Sequence, residues 1–167
     1  MKKQTPATKV SHTIRKARLQ DVKSMQGLIN QFAREGSMLS RSLSEMYDNI
    51  RDFHVCEVDG RLVGVSALHV VWEDLAEIKS LAVVPNLQGQ GLGSLLARAS
   101  LDDAKEMRVR QVFTLTDKEG FFEKIGFHLV DKSILPQKVW GECIKCVKFP
   151  DCNEVAMVYD IYPSPAE

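Results

Sequence analysis

Between positions 88 and 93 the chain reads Gln88, Gly89, Gln90, Gly91, Leu92, Gly93, with three glycines at alternate positions. Ahead of this segment lies a β-type run from Ala76 to Val84, stopped by Pro85. Behind it, Leu92, Leu95, Leu96 and Ala99 recur at the spacing of one helix face, which predicts a helix from about Gly91 to Met107. A strand that passes into a helix through glycines lets backbone N–H groups approach an anion, and the helix N-terminus adds partial positive charge. The spacing is not the G-x-G-x-x-G of a dinucleotide fingerprint, and Ser94 after Gly93 does not complete a P-loop. Two readings follow: a phosphate cradle of another kind, or a glycine-rich turn that serves helix packing alone.

The surrounding pattern supplies the fold class. His12 to Arg18 reads as a first strand, and Asp21 would cap a helix with Met25, Leu28, Ile29 and Phe32 on one face, ended by Gly36. Ser42 to Ile50 reads as a short helix with a capping box in Ser42, Leu43, Ser44, Glu45. Phe53 to Val58 and Arg61 to Trp72 flank Asp59 and Gly60, a pair suited to a tight hairpin. Val112 to Thr116 reads as a buried strand, and Phe121, Phe122 and Ile125 as a short helix ending at Gly126. A strand at His128 to Val130, a short helix near Gln137 to Glu142 and a last strand from Val155 to Ile161 complete the order. Hairpins first and a strand, helix, strand crossover second require a mixed sheet in an α/β (α+β) protein.

At 167 residues the chain is expected to form a single domain over 12–167 behind a flexible N-terminal tail at 1–11. Twenty-two basic residues balance 22 acidic ones, so no global field favours nucleic acid or an anionic membrane. No apolar run approaches the roughly 20 residues of a membrane span. The polar start lacks the apolar stretch of a secretory signal, which points to the cytoplasm.

Gln88, Gly91 and Gly93 occupy the defining places of the pattern Q/R-x-x-G-x-G/A, preceded by Leu81, Ala82, Val83, Val84, Pro85. Phe121 to Phe127 adds an aromatic, Glu, Lys, x, Gly, Phe run. In these segments the chain resembles the GNAT family of N-acetyltransferases, over nearly its whole length after residue 11. The resemblance implies a mixed, mostly antiparallel central sheet of about six or seven strands with helices on both faces. It implies acetyl-CoA as co-substrate, with the pyrophosphate on Gln88, Gly89, Gln90, Gly91, Leu92, Gly93 and Ser94. A strand splayed from its neighbour would pair with the pantetheine arm through Leu81, Ala82 and Val83, and Phe122 joins the cofactor-binding set.

Within that family the resemblance points to the amino-acid acetyltransferases of arginine biosynthesis, chiefly N-acetylglutamate synthases. It is carried by Met38 to Ser42, Glu77 to Val84, Val112 to Thr116, and Leu135 with Pro136. The reaction implied is direct transfer of acetyl to the α-amine of an amino acid, L-glutamate foremost, in a ternary complex, with a homodimer left open. An arginine fork suits a carboxylate, so Arg41 with Ser42 is the substrate-binding candidate, against a solvated surface arginine. Only a free amine attacks a thioester, and Glu77 is the candidate base, against a charged strand end facing solvent. Lys79 would bind a substrate acid group or pair with Glu77. The family's tyrosine acid is replaced by Phe121 and Phe122, leaving Thr116 or solvent to protonate the departing thiolate. A backbone N–H near Leu81 would meet the oxyanion.

Cys152, Asn153 and Glu154 stand where the long synthases carry a basic Arg and Ser pair, so another amino acid, a polyamine or a protein N-terminus stays open as acceptor. Cys143, Cys146 and Cys152 have metal-like spacing but offer only three ligands, and no metal is required for catalysis. Zinc, a loop staple and reducible thiols are the alternatives for this cluster, and a non-catalytic CoA-binding sensor is the alternative for the whole chain.

Overall fold

The computed structural model describes residues 11–136, 140–141, 143–145 and 152–162. Seven strands form one sheet: β1 (His12–Lys16), β2 (Phe53–Val58), β3 (Arg61–Trp72), β4 (Leu75–Val83), β5 (Gln111–Thr116), β6 (His128–Val130) and β7 (Val155–Asp160). Their order is β1-β2-β3-β4-β5-β7-β6. All neighbours are antiparallel except β4 and β5, which run parallel and are joined by a helical crossover. The sheet is thus mixed and mostly antiparallel, as the element order requires. Asp59 and Gly60 both take positive φ, at 51° and 73°, and close the β2–β3 hairpin in the twist its strands demand.

Helices cover both faces. On one lie α1 (Val22–Arg34) and α2 (Leu43–Asp48), which bury Val22, Met25, Leu28, Ile29 and Met46 against Phe53, Val55, Val65, Ala67 and Ala82. A helix of 13 residues is marginal alone in water, so this buried stripe is what holds α1. On the other face, α3 (Leu92–Glu106) and α4 (Glu119–Ile125) set Ala97, Leu101, Ala104, Phe122 and Ile125 on Leu68, Ala76, Ile78, Val112 and Met157. α3 lies so close to β3 that a Cβ on Gly64 would stand 2.8 Å from Leu96 Cδ1.

Two details depart from the pattern reading. The buried stripe of α3 runs through Leu92, Leu96, Ala97, Ser100, Leu101 and Ala104, so Leu95 is exposed. Its face is rotated by about one residue and buries Ser100, whose hydroxyl lies 3.0 Å from that of Ser66 and satisfies it inside the core. Asp21 does not cap α1 with its side chain. Its carboxylate instead accepts the Arg18 N–H at 2.7 Å and the Arg15 guanidinium at 2.8 and 3.0 Å, and Arg15 also reaches Glu57. That fork ties β1, β2 and the entry to α1 together and holds the Asp21 carboxyl below its usual range, the Arg15 hydrogen bond being the main cause. The tail at 1–10 and most of the helix expected near 137–142 lie outside the described residues. Among the described residues no helix is long and apolar enough to cross a membrane.

His54 is buried on β2 between Lys16 and Ser66, and its Nδ1 has no hydrogen-bond partner among the described residues. Burial, with Lys16 acting in the same direction, lowers its pKa from the ordinary 6.5. The fold holds the neutral ring while the unfolded chain takes up a proton, so this contribution is present above pH 6.5 and is lost as pH falls through the depressed value. Asp21 loses its contribution only as pH falls below its ordinary 3.8, outside that window. Thermal melts between pH 7.5 and 5.5 should show a midpoint falling by a few degrees, and a His54→Leu chain should show a flatter slope.

Candidate active site

β4 and β5 pair over only three positions, Leu75 with Gln111, Ala76 with Val112 and Glu77 with Phe113. Beyond these β4 stays with β3 as far as Val83, whereas β5 stays with β7 through Thr116. A bulge in β4 accompanies the parting. Val65 pairs with Ala82 and Ala67 with Lys79, so Ser80 and Leu81 together oppose Ser66. Ser80 takes φ 54°, a left-handed conformation that costs a non-glycine residue about 1–2 kcal/mol and must be held by its surroundings. At the mouth of the gap the buried Thr114 hydroxyl donates to the Ile78 carbonyl at 3.0 Å, in place of a ladder bond.

The result is a cleft of about 890 Å³ between the two strands. Its floor carries Leu81, Ala82 and Val83, and one end opens on the glycine loop. There the Gln88 side chain donates to the Val83 carbonyl at 3.0 Å, which pins the loop to the strand end. Gly89 and Gly91 take φ 77° and 85°, and Gly91 starts α3 without a side-chain cap. The backbone N–H groups of the first helical turn are therefore presented by glycine at the cleft. Gly93 lies against Phe121, whose ring atoms would be 3.4 Å from an added Cβ.

Of the residues expected to hold the pyrophosphate, Gln88, Gly89, Gly91, Gly93 and Ser94 line the cleft. Gln90 and Leu92 do not: Gln90 faces solvent, and Leu92 is buried with Cys56, Val58, Val63, Val83 and Leu96. Phe122 reaches the cleft wall but is mainly core, edge-on to Phe121 and Phe127 with ring centroids 5.0 and 5.1 Å away.

At the other end, Glu77 and Lys79 project from β4 toward the α1 and α2 side, and both line the cleft with Arg41. Arg41 stands between α1 and α2, and its backbone is fixed to α1. Its N–H donates to Asn30 Oδ1 at 2.9 Å, and its carbonyl accepts from Gln26 and Asn30 at 3.0 and 3.2 Å. Ser42 lines neither this cleft nor the smaller recess beside it, because its hydroxyl is the N-cap of α2, accepting the Glu45 N–H at 3.2 Å. Thr116 is buried at the cleft wall and accepts the Lys118 N–H at 2.8 Å, which leaves its hydroxyl proton to donate.

Cys143 and Cys152 line the cleft beside Trp140 and Glu154, whereas Cys146 lies outside the described residues. Cys56 and Cys152 are free thiols, and among the described residues no group of three or more His, Cys, Asp or Glu could hold a metal. Pattern reading missed Thr114, Gln26 and Asn30. Thr114 had one signal, the two-residue spacing that puts it on the face of Thr116. A Thr114→Val chain leaves the Ile78 carbonyl short of a partner and should lose about 1–3 kcal/mol, read as a lower urea midpoint at unchanged slope.

Residues 22–127 match the model of the acetyltransferase (GNAT) family. The chain is 38% identical over 145 residues to an uncharacterized N-acetyltransferase of Chlorobaculum tepidum, an alignment covering 87% of this chain and 94% of that one. With the amino-acid acetyltransferase of Mycobacterium tuberculosis it shares 33% identity over 132 residues, or 77% of this chain and 75% of the other. Among solved structures, the N-acetylglutamate synthase from Neisseria gonorrhoeae complexed with coenzyme A and N-acetyl-glutamate superposes with a TM-score of 0.81 at 27% identity, over 92% of this chain and 36% of that one. A strand pair held open beside a glycine-built helix N-terminus, within a matching sequence of this extent, places the chain in the acetyltransferase (GNAT) family as an acetyl-CoA-dependent N-acetyltransferase.

Proposed function

We propose that the acceptor is the α-amino group of an amino acid, L-glutamate first, and that the reaction opens arginine biosynthesis in the cytoplasm. The observation that carries this reading is the convergence of Arg41, Lys79 and Glu77 on one end of the cleft. A dicarboxylic amino acid brings two carboxylates and one ammonium, and two cations with one carboxylate complement that set. The names of the relatives in Mycobacterium and Neisseria support it.

Acetyl-CoA supplies the acetyl group as a thioester. On this reading Gly89, Gly91, Gly93 and Ser94 meet the pyrophosphate through backbone N–H groups, and Leu81 to Val83 run beside the pantetheine. Glu77 removes a proton from the ammonium, because only the free amine attacks. At the bulge the Leu81 N–H would stabilise the negative charge building on the acetyl oxygen. Thr116 donates toward the departing sulfur. Arg41, held in place by Asn30 and Gln26, takes a carboxylate of the acceptor.

Steady-state assays over a panel of amino acids, polyamines and N-terminal peptides test the acceptor, with glutamate expected to give the highest kcat/KM. No turnover with glutamate beside turnover with another amine would refute this choice. Glu77→Gln should lower kcat by about 10²–10⁴ while leaving CoA binding intact. Arg41→Ala should raise the amino-acid KM by about tenfold or more, and Asn30→Ala should do the same more weakly. An effect of either change confined to CoA binding would contradict these assignments.

A further inference from the structure

Beside the cleft lies a smaller recess of about 100 Å³, lined by Asp52 and His69 and sharing Arg41, Lys79 and Ser80 with the cleft. His69 Nδ1 stands 2.7 Å from Asp52 Oδ2. A carboxylate only accepts, so this contact places the ring proton on Nδ1 and leaves the Nε2 lone pair open to a proton. In the β3–β4 register His69 is the direct partner of Glu77, and Ala67 that of Lys79. Directly opposed residues of an antiparallel pair share a face with Cβ atoms about 5 Å apart. Glu77 lines the cleft, His69 lines the recess, and the two stand side by side across the divide.

The chemistry needs such a neighbour. An ammonium acceptor gives up two protons on becoming an amide N–H, while the departing thiolate takes one, so each turnover delivers one proton to solvent. Glu77 must be deprotonated again before the next cycle. With donor and acceptor in the cleft, its cleft side is covered, whereas the His69 side chain, which lines the recess, keeps 39% of its surface exposed. We propose that His69, oriented by Asp52, receives the proton that Glu77 takes from the acceptor and passes it to solvent. His69 is thus a positioning and relay residue that acts through Glu77, and the proposal rests on Glu77 being the base. The other charged groups around the recess are Arg41, Lys79 and Glu45, with Glu77 opposite His69 in the β3–β4 register.

The test uses the full chain with acetyl-CoA and the acceptor that the panel selects, measuring kcat at low buffer and across rising imidazole at constant ionic strength. His69→Gln should lower kcat by about tenfold with the acetyl-CoA KM unchanged, and added imidazole should restore it, because a small base can carry the proton in the ring's place. Asp52→Asn should give a smaller loss with the same response. A purely structural His–Asp pair would give losses that imidazole does not repair, and that result overturns the proposal. So does a His69→Gln kcat equal to wild type at every buffer concentration. Glu77→Gln separates the two failures: if it keeps full turnover the base assignment falls and the relay with it. If it loses turnover while His69→Gln does not, the relay alone falls.

Discussion

Everything at this site depends on two parallel strands that stop pairing. β4 and β5 hold together over Leu75 to Glu77 and then separate, and a sheet does not part in its middle without compensation. Three features provide it. The bulge at Ser80 and Leu81 bends β4, Thr114 satisfies the Ile78 carbonyl at the fork, and β7 pairs β5 over its whole length. Helices packed on both faces then fix the separated strands to a common core, which converts a defect in the ladder into a cleft. The strained φ at Ser80 is held by β3, which pairs with β4 before and after the bulge, at Lys79 and Ala82.

On the proposed reading the two ends of that cleft would recognise their ligands by different physics. A chain with no net charge has no long-range field to draw in a polyanion, so a pyrophosphate would rely on the glycine-exposed N–H groups and the start of a 15-residue helix. The acceptor would instead meet side chains that line the cleft, Arg41, Lys79 and Glu77, whose charges and reach can discriminate among amines. Donor identity would then be built into backbone geometry, and acceptor identity into three side chains held by α1 and β4.

What was legible in the sequence follows from how local each feature is. The glycine loop, the Asp59–Gly60 turn and the Ser42–Glu45 capping box are each made within a few residues, and all form where the sequence places them. Side-chain roles were less legible. Ser42 joins the substrate-binding candidates through the resemblance carried by Met38 to Ser42, yet its hydroxyl is the cap that α2 requires. Leu95 and Asp21 show the same limit, since periodicity tolerates a rotation of one residue and a capping residue can be claimed by an arginine. Thr114 with Ile78, Asn30 with Arg41 and His69 with Asp52 join residues 36, 11 and 17 positions apart, and no spacing rule connects them. They become visible only once the sheet register is known.

The most direct measurement is a crystal structure of the chain with CoA and N-acetylglutamate. The pantetheine should lie between residues 79–83 and 114–116, the pyrophosphate on the N–H groups of 89–94, and an N-acetylglutamate carboxylate on Arg41 with its amide beside Glu77. A CoA arm lying outside the gap between β4 and β5, or a product bound away from Arg41 and Glu77, would contradict this arrangement.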